Sequence, residues 1–220
     1  MNHHREYVNM KEKGNVGQTT TGLKAVLSYP WIYDVFQNMM GARRVRRSFS
    51  ETHIRSFPGS RLLDIGCGTA WILEYLPENI DYYGYDINSD YIAAAREKFG
   101  KKGQFACRLL EESEVAEMQP FDIVITVGLL HHLDDDVARN VIRLARIALH
   151  PGGRFVSLDP VFATGQNPIA KFIIRRDRGR HVRDGEGYLT LARHEFNHVE
   201  GFLRHRTWMP YTHWIMECTR

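Results

Sequence analysis

A chain of 220 residues, 43% hydrophobic and 25% charged, suits one globular domain with one sizeable core. No stretch approaches the roughly 20 apolar residues that cross a bilayer, and Met1–Lys13 lacks the apolar segment of a secretory signal, so the expected location is cytoplasmic. A net charge of +3 is too small to argue for nucleic acid, and Cys67, Cys107 and Cys218 lack the spacing of a zinc knuckle or redox pair, so reduced thiols and no metal are expected.

Residues 1–22 are polar. Beyond them Val26, Leu27, Trp31, Ile32, Val35, Phe36, Met39 and Met40 recur at helical spacing around Pro30, which predicts an N-terminal helical cap over residues 1–57. Phe57-Pro58-Gly59-Ser60 stops it. Short apolar runs then alternate with helical ones. Strands are expected at 61–65, 80–85, 104–107, 121–127 and 154–158, and helices at 70–76, 89–99 and 137–149, the last stopped by His150-Pro151-Gly152-Gly153. After Asp159 the alternation ends. Asn167-Pro168 reads as an N-cap with proline at the first helical position, Gly185–Phe196 as a further helix, and 198–206 and 211–218 as two closing strands. Residues 160–196 are long for a connection and read as a lid-like insertion between strands five and six. Alternation of this kind implies an α/β fold, a mostly parallel sheet with helices on both faces, whose ligands sit at the carboxyl ends of the strands.

Two loops at that edge carry the strongest chemistry. Leu62-Leu63-Asp64-Ile65-Gly66-Cys67-Gly68-Thr69 is a buried strand entering a glycine turn that opens a helix, where backbone comes close to a ligand and free N–H groups point outward. A dinucleotide site would carry a third glycine where Trp71 stands, which argues against an oxidoreductase. Asp86 follows Gly66 by twenty residues at the end of the second strand, placed to accept hydrogen bonds from both ribose hydroxyls of an adenosine, while Asn88 or Ser89 caps the next helix.

These residues resemble the class I S-adenosylmethionine-dependent methyltransferases, in the group of small-molecule enzymes with a D-x-G-x-G first motif. Phe121-Asp122-Ile123-Val124, Gly128-Leu129-Leu130-His131-His132-Leu133 and Leu149-His150-Pro151-Gly152-Gly153 extend the resemblance over about residues 60–159. It implies a Rossmann-like seven-stranded sheet with an antiparallel last strand in a domain spanning 58–220, and S-adenosyl-L-methionine as cofactor. Asp64 would lie near the cofactor amine, Gly66, Cys67 and Gly68 against its methionine part, Asp86 on the ribose and Ile87 on the adenine. Gly128 and Leu129 would line the methionine and ribose side. Two positions depart from the pattern: Ala70 stands where a third loop glycine is common, and Leu109 where an acid usually meets the adenine.

Methyl transfer needs an acceptor nucleophile held in line and, for a hydroxyl, a group that takes its proton. Histidine suits that task. His132 is the expected base or orienter, with His131 beside it; either ring packing the loop is the competing reading. Asp159 either binds the acceptor or caps the turn at Pro160. Tyr29, Trp31 and Tyr33 either cover the pocket or fill core. Of two arginine runs, 43–47 and 175–183, the second adjoins the pocket, and Arg178 there is a candidate clamp for an anionic acceptor; a solvated basic face is the alternative. The acceptor is expected to be a small molecule with an oxygen, nitrogen or carbon nucleophile, with an RNA-modifying enzyme, a non-catalytic cofactor-binding protein and an oxidoreductase as alternatives. No nucleic-acid partner is expected, and the oligomeric state stays open.

Overall fold

The computed structural model describes residues 42–176, 179–205 and 211–220. The aromatic positions of the expected N-terminal cap, Tyr29, Trp31 and Tyr33, and the candidate clamp Arg178 lie outside those residues.

Seven strands form one sheet: β1 (Arg61–Ile65), β2 (Asp81–Asp86), β3 (Gly103–Cys107), β4 (Phe121–Val127), β5 (Leu149–Pro160), β6 (His198–His205) and β7 (Thr212–Thr219), in the order β3-β2-β1-β4-β5-β7-β6. The pairs among the first five are parallel, and β7 runs antiparallel to both β5 and β6. The chain crosses over between β1 and β4, so a crevice opens between their carboxyl ends. Leu62, Leu63, Val124, Ile125, Phe155 and Val156 are buried on one face or the other, which is why these strands read as continuous apolar runs.

The helices are α1 (Ala42–Phe49), α2 (Ser89–Phe99), α3 (Glu112–Glu117), α4 (Asp135–Ala148), α5 (Pro168–Arg175) and α6 (Gly185–Arg193). One face of the sheet packs Ile92, Ala95 and Phe99 of α2, Phe49 of α1 and Ile54 of the π-helical turn that follows it. The other packs Val115 of α3, Ala138, Ile142 and Ala145 of α4, and Tyr188, Leu191 and Ala192 of α6. Each such large side chain contributes about 1.5–3 kcal/mol by leaving water. The π-helical turn is tied to the sheet from below: Arg154 donates to the carbonyls of His53 and Ile54, and Glu217 accepts from His53 at 2.6 Å and from Arg55.

Four elements differ from expectation. The segment after the glycine loop is a five-residue 3₁₀ turn, Trp71–Tyr75, entered through Ala70 in the left-handed region at φ 54°. Ala70 is therefore a strained substitute for glycine, not a neutral one, and the local dipole is short. β5 begins at Leu149, five residues early, because the Gly152 N–H donates to the Arg220 carbonyl and the Arg220 N–H to that of Gly153. α3 was not anticipated. α4 starts at Asp135, with Asp134 accepting from the Val137 N–H at 3.0 Å. The cap on α5 is as expected: Asn167 accepts from the Ile169 N–H at 2.8 Å, with Pro168 next. All three cysteines are free thiols.

Candidate active site

The glycine loop is held by the strand beside it. The N–H groups of Gly66 and Cys67 both donate to the Tyr85 carbonyl, at 2.8 and 3.0 Å. Gly66 lies at φ 79° and Gly68 at φ 54°, conformations glycine adopts without strain. A Cβ on Gly68 would meet nothing within 4 Å, so that side of the loop is open. A Cβ on Gly66 would strike the Leu129 side chain at 2.9 Å, so the loop after β4 and the loop after β1 meet there. Gly128, at φ 72°, also faces open space apart from the His131 ring at 3.8 Å. Cys67 presents only backbone to this side. Its thiol is buried over Gly84, and burial raises its pKa, so it is not a nucleophile.

Asp64 is 2% exposed. The Tyr82 hydroxyl donates to its Oδ2 at 2.7 Å, and its Oδ1 has no partner among the described residues. Burial, opposed by the Tyr82 hydrogen bond and reinforced by nearby Asp86, pushes its pKa up to about 7. A buried carboxylate with one oxygen unsatisfied is costly, and a cationic ligand would relieve it. Sequence reasoning missed Tyr82. The signal was Gly84, two residues on: its missing side chain leaves the space that the Tyr82 ring and the Cys67 sulfur occupy.

Asp86 braces the loop as well as facing it. Its Oδ2 accepts from the Gly68 N–H at 2.9 Å and its Oδ1 from the Asn88 N–H at 2.8 Å. The Ile87 N–H also acts on this carboxylate, whose roughly four acceptor sites are still not all taken, which leaves capacity for a ribose hydroxyl. Desolvation raises the Asp86 pKa against those backbone hydrogen bonds. Beside it Ile87 is 57% exposed, and Leu109 across the edge is 46% exposed. Glu114 is the engaged acid of that region: it accepts from the Tyr85 hydroxyl at 2.6 Å and pairs with Arg108.

Across the crevice, His131 and Asp159 form a buried pair. His131 Nδ1 lies 2.8 Å from Asp159 Oδ1, which also accepts the His131 backbone N–H at 3.2 Å. Asp159 therefore anchors the loop after β4 and does not cap the turn at Pro160. The half-buried His132 ring lies against His131, with centroids 4.1 Å apart. The insertion seals this pair. Gly179 packs so closely that a Cβ there would stand 2.0 Å from His131 Cδ2, and the His181 N–H donates to the His131 carbonyl at 3.0 Å. Arg183, read from sequence as part of a solvated or anion-binding run, is a strut. It donates to the carbonyls of Leu130 at 2.9 Å and Leu133 at 2.8 Å, and to Asp135 at 2.7 Å. In the first arginine run, Arg46 is buried over the Trp71 ring at 4.2 Å, while Arg43, Arg44 and Arg47 are exposed.

Residues 63–155 match the methyltransferase domain family. The chain is 30% identical over 144 residues to ubiquinone biosynthesis O-methyltransferase of Idiomarina loihiensis, covering 63% of this chain and 56% of that one. It is 27% identical over 143 residues to phosphatidylethanolamine N-methyltransferase of Cereibacter sphaeroides, covering 63% and 68%. Its fold is similar to the structure of magnesium protoporphyrin IX methyltransferase from Synechocystis with bound S-adenosylhomocysteine, with a TM-score of 0.62 at 15% identity, covering 88% and 96%. The chain thus spans little more than half the length of the first of these relatives. Sheet order, glycine loop and matched segment are together similar to those of class I S-adenosylmethionine-dependent methyltransferases.

Proposed function

We propose that the chain transfers a methyl group from S-adenosyl-L-methionine to a small-molecule acceptor bound against the His131-His132-Asp159 edge. The observation that carries this is the buried Asp64 carboxylate, with one oxygen lacking a described partner, beside a glycine loop open to solvent. A dinucleotide has no ammonium to donate to that oxygen, its one cation being a ring pyridinium without an N–H, whereas the cofactor's amino-acid part has an ammonium. The short 3₁₀ turn after the loop also gives little dipole for a pyrophosphate.

In this reading Asp64 holds the ammonium, the free acceptor sites of Asp86 hold the ribose hydroxyls, and Ile87 with Leu109 flanks the adenine. The backbone of Gly66, Cys67, Gly68 and Gly128, with Leu129, lines the methionine side. The cofactor supplies a carbon activated by its sulfonium. Asp159 fixes the tautomer and orientation of His131, and His131 supports His132, which in this reading orients the acceptor or takes its proton. The likeness to O- and N-methyltransferases of small molecules supports an oxygen or nitrogen acceptor. Arg178 is carried as a clamp for an anionic group on it. The test is calorimetry with S-adenosylhomocysteine and with NAD. Binding of the first only is expected, at least tenfold weaker in Asp86→Ala, because two hydrogen bonds to a charged group are lost. His132→Ala should lower turnover more than cofactor affinity. Binding of NAD alone would overturn the reading.

A further inference from the structure

The chain leaves the acceptor edge after Asp159 and returns to it at Gly179, and the Phe162 N–H donates to the Arg183 carbonyl at 3.1 Å to close the excursion. Helix α5 is carried on that excursion. Its inner face is buried through Ala170 and Ile174. Its outer face shows Ile169, 60% exposed, and Phe172, 53% exposed, one turn apart. Lys171, Arg175 and Arg176 are exposed around them, and the Arg176 guanidinium lies 4.1 Å over the Phe172 ring. No Asp or Glu occurs between Pro160 and Arg176.

The contrast with other helices is informative. On α4, Arg139 pairs with Asp135 and Asp136, and Arg143 with Glu112; on α6, Arg193 pairs with Glu186. Lys171 and Arg175 make no ion pair among the described residues. An apolar face that water does not favour, ringed by cations of which Lys171 and Arg175 pair with no carboxylate among the described residues, suits a surface that is both greasy and negative.

We infer that the outer face of α5 docks on an anionic lipid surface, with Ile169 and Phe172 entering the headgroup boundary and Lys171, Arg175 and Arg176 meeting lipid phosphates. The docking stands without the methyl-transfer reading.

The test is co-sedimentation of the full chain with vesicles of phosphatidylcholine, alone or mixed with phosphatidylglycerol, in the absence of cofactor. Each basic side chain near an anionic surface multiplies partitioning about fivefold, so two or three of them favour the mixed vesicles by roughly 25- to 100-fold. That preference should collapse in high salt. Ile169→Ser with Phe172→Ser should cut binding at least tenfold while S-adenosylhomocysteine affinity and thermal unfolding stay unchanged. Lys171→Gln with Arg175→Gln should remove most of the anionic preference. Absence of vesicle binding would overturn the proposal. So would binding that survives the double serine variant, which would assign the lipid contact to another part of the chain, residues 1–41 included. A concentration-dependent dimer dissolved by that variant would assign the face to a second copy instead. Loss of cofactor binding in the wild type would sink the methyl-transfer reading and leave this one standing.

Discussion

With Asp64 in the role proposed for it, cofactor affinity becomes a function of pH that can be calculated. In the empty protein its pKa stands at about 7. An ammonium gains from the ionised carboxylate only, so the affinity for S-adenosylhomocysteine scales with the ionised fraction until binding itself pulls the pKa down. That fraction rises from about 3% at about pH 5.5 to about 76% at about pH 7.5, so affinity should climb about 25-fold across the window. Calorimetry at several pH values reads it directly. Asp64→Asn should abolish most of the slope, leaving any part due to Asp86. Tyr82→Phe removes the hydrogen bond that favours the charged form and should move the inflection upward by about one pH unit. A flat profile in the wild type, or an unchanged slope in Asp64→Asn, would refute the role given to this carboxylate.

Stability of the empty protein should run the other way. Between about pH 4 and about pH 7 the unfolded chain has released the Asp64 proton while the folded one still holds it, so stability falls as pH rises through that range. Asp64→Asn should therefore gain melting temperature relative to wild type at pH 8 more than at pH 4, and equal differences would contradict this. Arg183→Met leaves the Leu130 and Leu133 carbonyls without their donor and should cost about 2–3 kcal/mol in chemical denaturation; a change under about 0.5 kcal/mol would show the strut to be idle. Gly201→Ala places a Cβ 2.1 Å from the Trp214 ring and should cost about 1–3 kcal/mol, read by thermal unfolding. Asp159→Ala strips His131 of the acceptor for both its ring and its backbone N–H and should cost about 2–3 kcal/mol; wild-type stability would mean the pair is incidental.

The strands at the sheet centre were legible because burial on both faces leaves few polar residues in them, as in Phe121–Val127. The ligand edge was legible because Gly66, Gly68 and Asp86 need their backbone conformations and positions whatever the rest of the chain does. What escaped depended on partners distant in sequence. Pro151 and Gly152 look like a turn, and only the pairing with Arg220 makes them strand. Helix α3 buries Val115 alone, too little for a period to show. The Tyr82 hydroxyl reaches Asp64 across eighteen residues and needs the gap at Gly84. The division of labour between the two histidines was hidden for the same reason: Asp159 selects His131, and that choice is made by a strand and not by the motif.

The closure at Phe162 and Arg183 has a consequence for how such a chain changes over time. The stretch between leaves and rejoins the domain at that hydrogen bond, with Ala170 and Ile174 buried under it, while Gly179, His181 and Arg183 hold the histidine loop. Changes at the exposed positions of residues 163–176 should therefore alter what lies outside the acceptor edge while the histidine loop stays in place. A grafting experiment that keeps Phe162 and Gly179–Arg183 and exchanges the stretch between would ask whether acceptor choice travels with the segment, as a tool bit travels between identical handles.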